Sequence, residues 1–196
     1  TVTRTYVNTG TFSVTLTVTD DRGGTAQRVQ SLSTNNLPTP PPPGSSTVAA
    51  DTFTRTVANG LGNAETGGAW TISGGTAANY AVNGSTGRLT LGAPAASRNA
   101  FLSGVATANV SALADVSFDK AATGGGTYVS VIGRRRVGTG EYRATVRAQA
   151  NGTIQALLVR RIGTTDTNLA VAATVPGLTH VAGQFYRVRF EVTGTN

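Results

Sequence analysis

The chain has 196 residues and a formal net charge of +7, and only 13% of its residues are charged, against a usual share of roughly 25%. Its hydrophobic fraction of 39% excludes an intrinsically disordered chain, and no apolar run is long enough for a membrane helix. The absence of cysteine excludes disulfide frameworks and cysteine metal cages. Because Met is also absent, we expect the chain to be a processed segment or a part of a longer gene product. The absence of cysteine together with abundant Thr and Ser is typical of an exported protein.

The N-terminal 34 residues have the pattern of a β-hairpin. Apolar and polar side chains alternate strictly over residues 11–19, which predicts a strand with one apolar face. Turn-forming residues follow at 20–24, and residues 25–32 predict the returning strand. An isolated hairpin is marginally stable in water, so we assign residues 1–34 to the last part of a larger domain.

Residues 35–47 form a proline-rich linker in this interpretation. Pro38 and Pro40 to Pro43 favour extended polyproline II, and Gly44 to Ser46 loosen the end of the segment. A ligand for an SH3-type groove is the alternative reading of such a run.

Residues 48–196 predict one all-β domain, an antiparallel β-sandwich. Short alternating runs are separated by turns rich in Gly, Asn and Ser, and no convincing amphipathic helix is present. Two hairpins are expected to join residues 128–136, 141–148 and 153–161. The turn sequences place residue 136 opposite 141, and residue 150 opposite 153.

This register divides the side chains of the three strands between two faces. An apolar core face is predicted for Val129, Val131, Tyr142, Ala144, Val146, Leu157 and Val159. The opposite, basic face is predicted to carry Arg134, Arg136, Arg143, Arg147 and Arg160. Arg187 and Arg189 alternate with apolar residues in the last strand and are expected to lie on a similar face. A slip of one residue would invert these assignments.

Two families resemble parts of the chain. The run from Arg4 to Ala26, with Tyr6, Gly10 and Val14-Thr15-Leu16-Thr17-Val18-Thr19-Asp20, resembles the C-terminal third of a PKD repeat, an immunoglobulin-like sandwich of exported bacterial proteins. The second part resembles a concanavalin/laminin-G-like jelly-roll module of secreted proteins from GC-rich Gram-positive bacteria. The residues that carry this second likeness are Asp51-Thr52-Phe53-Thr54-Arg55, Gly67-Gly68-Ala69-Trp70, Gly124 to Arg135, Tyr142-Arg143, Val175 to Thr179 and Arg187-Val188-Arg189.

The jelly-roll resemblance implies a non-catalytic glycan-binding or adhesive module. Family members continue past the position of Asn196 with strands that close the sandwich, so we expect the module to lack its last strands here. The resemblance also implies a structural calcium ion with Asp51 as one ligand, and hard oxygen ligands suit that ion. No cofactor is otherwise expected.

Catalysis is not expected in this chain. Laminarinase-type enzymes with the same fold have a Glu-x-Asp-x-x-Glu strand, which supplies two carboxylates on one face, and no such strand is present. His180, the single histidine, has no nucleophile or carboxylate partner in a recognisable spacing. The chain is therefore interpreted as non-enzymatic.

The basic face and the aromatic residues are the candidate binding groups. Arginine forms bidentate pairs with carboxylate, sulfate or phosphate, which favours an acidic polysaccharide. Trp70, Tyr142 and Tyr186 are expected in the core, which leaves Tyr128 and Tyr80 as candidates for stacking on a sugar. The predicted ligand site is Tyr128 with the five arginines of the basic face. A solvated face without a ligand remains the alternative, and nucleic acid is disfavoured because stacking aromatics are few.

These patterns together predict an accessory module of a large secreted or cell-surface protein. Its expected partners are a polysaccharide or cell-surface glycan and the neighbouring domains of the same polypeptide, without insertion into a membrane. Two alternatives stay open: a structural spacer with no ligand, and an accessory fragment of a glycoside hydrolase whose catalytic residues lie elsewhere.

Overall fold

The computed structural model describes residues 11–19, 25–33 and 46–193, and nearly all of its regular structure is β-strand. The chain divides into two compact units, Thr1–Ser46 and Thr47–Asn196. The all-β fold class predicted from the alternating pattern is confirmed.

The first unit contains an antiparallel hairpin, as predicted. Strand β1 (Thr11–Thr19) pairs with β2 (Thr25–Ser33), with Thr11 opposite Ser33. The predicted turn at 20–24 lies outside the described residues, as does the predicted linker apart from its last two residues.

The second unit is built on a five-stranded sheet, here called the main sheet. Its strands in spatial order begin with β9 (Thr127–Arg136), β10 (Gly140–Ala148) and β11 (Thr153–Ile162). Two shorter strands, β12 (Thr165–Asn168) and β13 (Ala173–Thr179), both pair with the far edge of β11.

A second layer covers part of the main sheet. Strand β8 (Val110–Ser117) pairs antiparallel with β14 (Phe185–Val192), and this ribbon packs over β9 and β10. Burial of apolar surface between the layers is the main source of stability in such a sandwich. The buried residues of this core are Phe118, Ala122, Val146, Ala148, Ile154 and Tyr186.

Residues 50–102 form two smaller sheets with a core of their own. One sheet contains β3 (Thr56–Val57), β5 (Tyr80–Asn83) and β6 (Gly87–Leu89), and the other pairs β4 (Trp70–Ser73) with β7 (Asn99–Leu102). Leu61, Tyr80 and Val82 are buried between them, with Phe53, Val57, Trp70, Ile72 and Ala100 packed around. The hydroxyl of Tyr80 bonds the carbonyl oxygens of Ser73 and Gly74, so Tyr80 is a core residue and not an exposed sugar contact.

A β-bulge alters the predicted register between β9 and β10. Arg136 lies opposite Gly140, but Tyr142 lies opposite Gly133, so β9 holds an extra residue at the bulge. Beyond the bulge the register differs from the predicted one by two residues. An even shift preserves the faces, and Val129 therefore shares a face with Val146, as predicted.

The register between β10 and β11 was predicted wrongly. The turn holds three residues, 150–152, because Gly152 adopts a φ of 83° at its end, and Ala148 lies opposite Ile154. The shift of one residue inverts every side chain of β11. Leu157 and Val159 consequently lie on the same face as Arg143, whereas Arg160 lies on the face of Tyr142.

Candidate functional site

The face of the main sheet that carries Arg143 and Thr145 holds a groove of about 190 Å³, and we call it the groove face. Thr145 and Val159 are buried and form its floor. The hydroxyls of Ser130 and Thr145 lie 2.7 Å apart and share a hydrogen bond across β9 and β10. The groove is lined by Tyr128, Ser130, Arg143, Thr145, Leu157, Val159, Asp166 and Asn168.

Tyr128 is the exposed aromatic residue at one end of the groove, and 50% of its surface remains accessible. Its hydroxyl donates to the carbonyl oxygen of Gly125 at 3.0 Å, which anchors the end of the side chain. The guanidinium carbon of Arg147 lies 5.2 Å from the ring centroid, within the range of a cation–π contact. The ring is therefore held in position before any ligand arrives.

Arg147 is itself held by neutral partners. Its Nε and Nη2 donate to the carbonyl oxygen of Gly125 at 3.1 and 2.7 Å, and its Nη1 donates to Gln155 at 3.3 Å. These bonds occupy the fork that would otherwise bind an anion. Arg147 therefore lies on the groove face, as predicted, but its contacts position Tyr128.

The opposite wall of the groove is polar. Asp166 accepts hydrogen bonds from Nη1 of Arg161 at 3.3 Å to both carboxylate oxygens. The side-chain amide of Asn168 makes no hydrogen bond with the described residues, so its donors and acceptor are available to a ligand. An amide, a carboxylate, a guanidinium and two hydroxyls thus line the groove together with a positioned aromatic ring.

A second cavity of about 250 Å³ adjoins the groove, and we call it the arginine cleft. It lies between the β9–β10 turn and the ribbon of β4 and β7, and Arg143 lines both cavities. Its charged lining residues are Arg135, Arg136, Glu141, Arg143 and Arg161, and its uncharged ones include Ser73, Ser97, Asn99 and Phe101.

Glu141 is the buried carboxylate of the arginine cleft, with a side-chain exposure of 8%. Nε of Arg143 donates to its Oε1 at 2.6 Å, Nη2 of Arg143 contacts the same oxygen, and Nε of Arg135 lies 3.3 Å from Oε2. Arg135 also packs on Phe101, with its guanidinium carbon 4.0 Å from the ring centroid. A buried charge needs such pairing, and here one carboxylate orders two guanidinium groups.

Three predicted site residues line these two cavities, and a fourth contacts one of the three. Tyr128 and Arg143 line the groove, Arg147 supports Tyr128, and Arg136 lines the cleft. Arg136 is exposed and makes no side-chain bond with the described part of the chain.

Two predicted arginines lie elsewhere. Arg134 occupies the β-bulge with a φ of 49°, and its Nε donates to the carbonyl oxygen of Ala108 at 2.8 Å. Arg160 lies on the other face of the main sheet because of the shifted β11 register. The predicted basic face is wrong in these two members. It is also wrong for Arg136, which pairs with Gly140 and not with residue 141, although Arg136 does line the cleft at the β9–β10 turn. Arg187 and Arg189 are on the separate β8–β14 ribbon, where they pair with Asp115 and Glu191.

Sequence reasoning missed Arg135, Arg161 and Asn168. Arg135 lies within the run 134–136, and in a regular strand its side chain would point away from the face of Arg134 and Arg136. The β-bulge interrupts this alternation, and Arg135 contacts Glu141. The positions of Arg161 and Asn168 on the groove face follow from the β11 register and from the pairing of β11 with β12. Strand β12 consists of exposed polar residues and has no apolar alternation by which the sequence could predict it. The Asn151-Gly152 pair predicted the position of the turn correctly. The observed turn holds three residues, one more than the predicted pairing of residues 150 and 153 allows.

Asp51, the predicted calcium ligand, is fully engaged by other groups. Arg55 donates to both carboxylate oxygens at 2.7 and 2.8 Å, Nε1 of Trp70 donates to Oδ2 at 2.6 Å, and the amide of Phe53 donates to Oδ1 at 2.9 Å. A calcium ion does not fit this carboxylate, because its oxygens already accept four hydrogen bonds. Within the described ranges, no three His, Cys, Asp or Glu residues are grouped to hold a metal ion.

These contacts also set the charge state of Asp51. Burial acts to raise the pKa of its carboxyl, but hydrogen bonds from Arg55, Trp70 and Phe53 and the charge of Arg55 outweigh burial and hold the pKa below the usual 3.8. Asp51 is therefore a structural anion that ties β4 to the segment before β3.

Comparisons of the chain with protein-family models, with curated proteins and with solved structures gave no significant match. No helix in the described part of the chain has the length and apolar character needed to cross a membrane. The groove face and the arginine cleft are therefore known by their geometry and chemistry alone.

Proposed function

We propose that the unit Thr47–Asn196 is a non-catalytic module that binds carbohydrate on the groove face. The observation that carries this proposal is the half-exposed Tyr128 ring, fixed by Arg147 and Gly125 beside a groove with polar walls. A pyranose has an apolar C–H face and a rim of hydroxyls. The ring complements that face, and Asn168, Asp166 and Arg143 complement the rim.

The absence of a suitable acid pair supports a binding role over hydrolysis. Glycoside hydrolysis in most families needs two carboxyl groups on either side of the scissile bond. Asp166 is the one carboxylate among the described residues that line the groove, and it is paired with Arg161. Glu141, in the neighbouring cleft, is held between two arginines.

In the context of a longer protein, such a module serves attachment. A weak site gains effective affinity when linked domains bind the same surface, because the second contact becomes intramolecular. The resemblance to PKD and concanavalin-like jelly-roll modules supports a secreted or cell-surface location and adhesion to a polysaccharide or cell-surface glycan. The alternatives are a ligand-free spacer or an accessory part of a hydrolase.

Affinity electrophoresis of the full chain tests this proposal. The gels contain neutral β-glucans, uronans or sulfated glycans, and folding of each variant is checked by circular dichroism. We expect at least one polysaccharide to retard the chain, and Tyr128→Ala to weaken retention about tenfold, which corresponds to about 1.4 kcal/mol.

The matched control is Phe185→Ala, because Phe185 is 53% exposed and lies on the β8–β14 ribbon. It should leave retention unchanged. A folded chain that no polysaccharide retards would contradict the proposal and leave the spacer as the better account. Equal losses in both variants would show that the groove is not the site.

A further inference from the structure

We infer that the arginine cleft seats an oxyanion substituent of the bound polysaccharide, a carboxylate or a sulfate, so that the module selects acidic over neutral glycans. This inference rests on the proposed function, because the sugar ring itself would lie in the groove. Arg143 lines both cavities, so a chain that fills the groove brings the substituent of a neighbouring sugar to the cleft.

The charge balance of the cleft favours an anion. Four arginines line the cleft: Arg135, Arg136, Arg143 and Arg161. Two carboxylates pair with three of them, because Glu141 in the cleft contacts Arg135 and Arg143, and Asp166 in the adjoining groove contacts Arg161. The cleft therefore retains two positive charges. An excess of like charge within one cavity is unfavourable for folding, and binding of an oxyanion would relieve it.

Hydrogen-bond donors remain available on these arginines. The side chain of Arg136 makes no bond with any described residue. Arg143 uses Nε and Nη2 for Glu141 and leaves Nη1 unused, and Arg161 bonds Gly163 and Asp166 through Nε and Nη1 and leaves Nη2 unused. Guanidinium donors of this kind form short, charge-assisted bonds with carboxylate and sulfate oxygens.

The cleft is also ordered before binding. Arg135 is fixed between Glu141 and the ring of Phe101, and Arg143 is fixed by Glu141. Ordering an arginine side chain on binding costs conformational entropy, and here folding has already ordered two of them. Ser73, Ser97 and Asn99 line the opposite wall and supply neutral partners for the hydroxyls of the same sugar.

Single-stranded nucleic acid is the rival occupant of a basic cleft. Nonspecific binders of single strands stack successive bases on several aromatic side chains. Tyr128 is the one aromatic residue that lines the groove in the described chain, and Phe101 in the cleft is covered by Arg135. One free ring suits one sugar better than a run of bases.

A matched pair of variants tests the inference. Arg136→Ala and Arg160→Ala each remove one positive charge from an exposed side chain, but only Arg136 lines the cleft. We expect Arg136→Ala to weaken binding to polygalacturonate or dextran sulfate at least fivefold and to leave binding to a neutral β-glucan unchanged. Arg160→Ala should change neither. The preference for acidic glycans should decline in about 0.5 M salt.

Equal losses in both variants would overturn the inference, because they would indicate attraction to the net charge of the protein. A single-stranded oligodeoxynucleotide that displaces polygalacturonate and depends on Arg136 would overturn it as well, by making the cleft a nucleic-acid site.

Titration with inorganic sulfate separates this inference from the proposed function. We expect saturable shifts of the backbone amide signals of Gly138 and Gly140, which line the cleft, no shift at Gly152, and loss of the response in Arg136→Ala. Sulfate binding without retention on any polysaccharide would refute the proposed function and retain the anion site. Retention that depends on Tyr128, without sulfate binding or an effect of Arg136→Ala, would refute the anion site alone.

Discussion

Arginines of this chain differ in function because their contacts differ. Arg55 neutralises a buried aspartate, Arg135 bridges Glu141 and an aromatic ring, Arg147 supports Tyr128, and Arg136 is available in an open cleft. The planar guanidinium can bond, stack and carry charge at once. A count of basic residues therefore says little about where a ligand binds.

Arg147 is expected to act as a positioning residue for Tyr128. Arg147→Lys keeps the charge but loses the paired bonds to Gly125 and the guanidinium contact with the ring. We expect this variant to weaken binding of a neutral β-glucan about threefold to tenfold. Binding of inorganic sulfate to the cleft should remain unchanged, which a general loss of structure would not allow. Unaltered glucan affinity would contradict the role.

Asp51→Asn should destabilise the second unit. The side chain of Asp51 is 4% exposed, and its replacement leaves Arg55 without its anion, so we expect a loss of about 2–4 kcal/mol in the free energy of unfolding at pH 7. Asp119→Asn is the control, because Asp119 is exposed and makes no side-chain bond within the described residues. Denaturant unfolding followed by fluorescence of Trp70, the one tryptophan and a partner of Asp51, measures the difference.

The same variant has a predicted pH dependence. The pKa of Asp51 is lower in the folded than in the unfolded chain, so its stabilising effect is complete above the ordinary value of 3.8. The effect is lost as the pH falls through the folded-state pKa. The stability difference between the parent chain and Asp51→Asn should accordingly shrink below about pH 4. A difference that is constant with pH would exclude the ion pair as its cause.

At the scale of elements, one turn decides which side chains of β11 reach the groove. The three-residue turn before β11 requires Gly152 at a φ of 83°. A Cβ at this position would meet no atom within 4 Å beyond the adjoining residues, so the cost of a side chain is conformational. Gly152→Ala should lower stability by about 1–2 kcal/mol.

Gly92→Ala is the control for this turn. Gly92 has equal space around it and no left-handed φ, so the substitution should be neutral or slightly stabilising. Both changes are measured by denaturant unfolding. Equal midpoints for the two variants would contradict the assigned turn conformation and, with it, the position of Val159 on the groove face.

The sequence predicted those elements whose residues carry a clear local pattern, such as strict alternation or a turn-forming pair. Alternation in 11–19 and 25–32 and the turn-forming glycines correctly predicted that the hairpins form, because period and turn chemistry are local properties. The bulge at Arg134 and the length of the turn at Gly152 each depend on the backbone conformation of one residue, and the sequence pattern predicted neither. Each such residue shifts side chains between faces, which is why Tyr128 and Arg143 were placed correctly and Arg160 was not.

At the scale of the whole unit, the hydrophobic core and the candidate binding site lie on opposite faces of the main sheet. The core face of the main sheet packs on the β8–β14 ribbon, and the groove face carries the polar and basic groups. Residues 50–102 add one wall of the arginine cleft through Ser73, Asn99 and Phe101. The candidate site therefore depends on contacts between segments far apart in the sequence, which no local pattern encodes.

The central claim is that the groove face binds an acidic polysaccharide, and amide chemical-shift mapping during titration of the full chain with an oligogalacturonate tests it most directly. We expect saturable shifts that cluster at Tyr128, Arg143, Asn168 and Gly138, with none at Arg160 or Phe185. Shifts confined to the β8–β14 ribbon, or no saturable shifts at all in a folded chain, would contradict it.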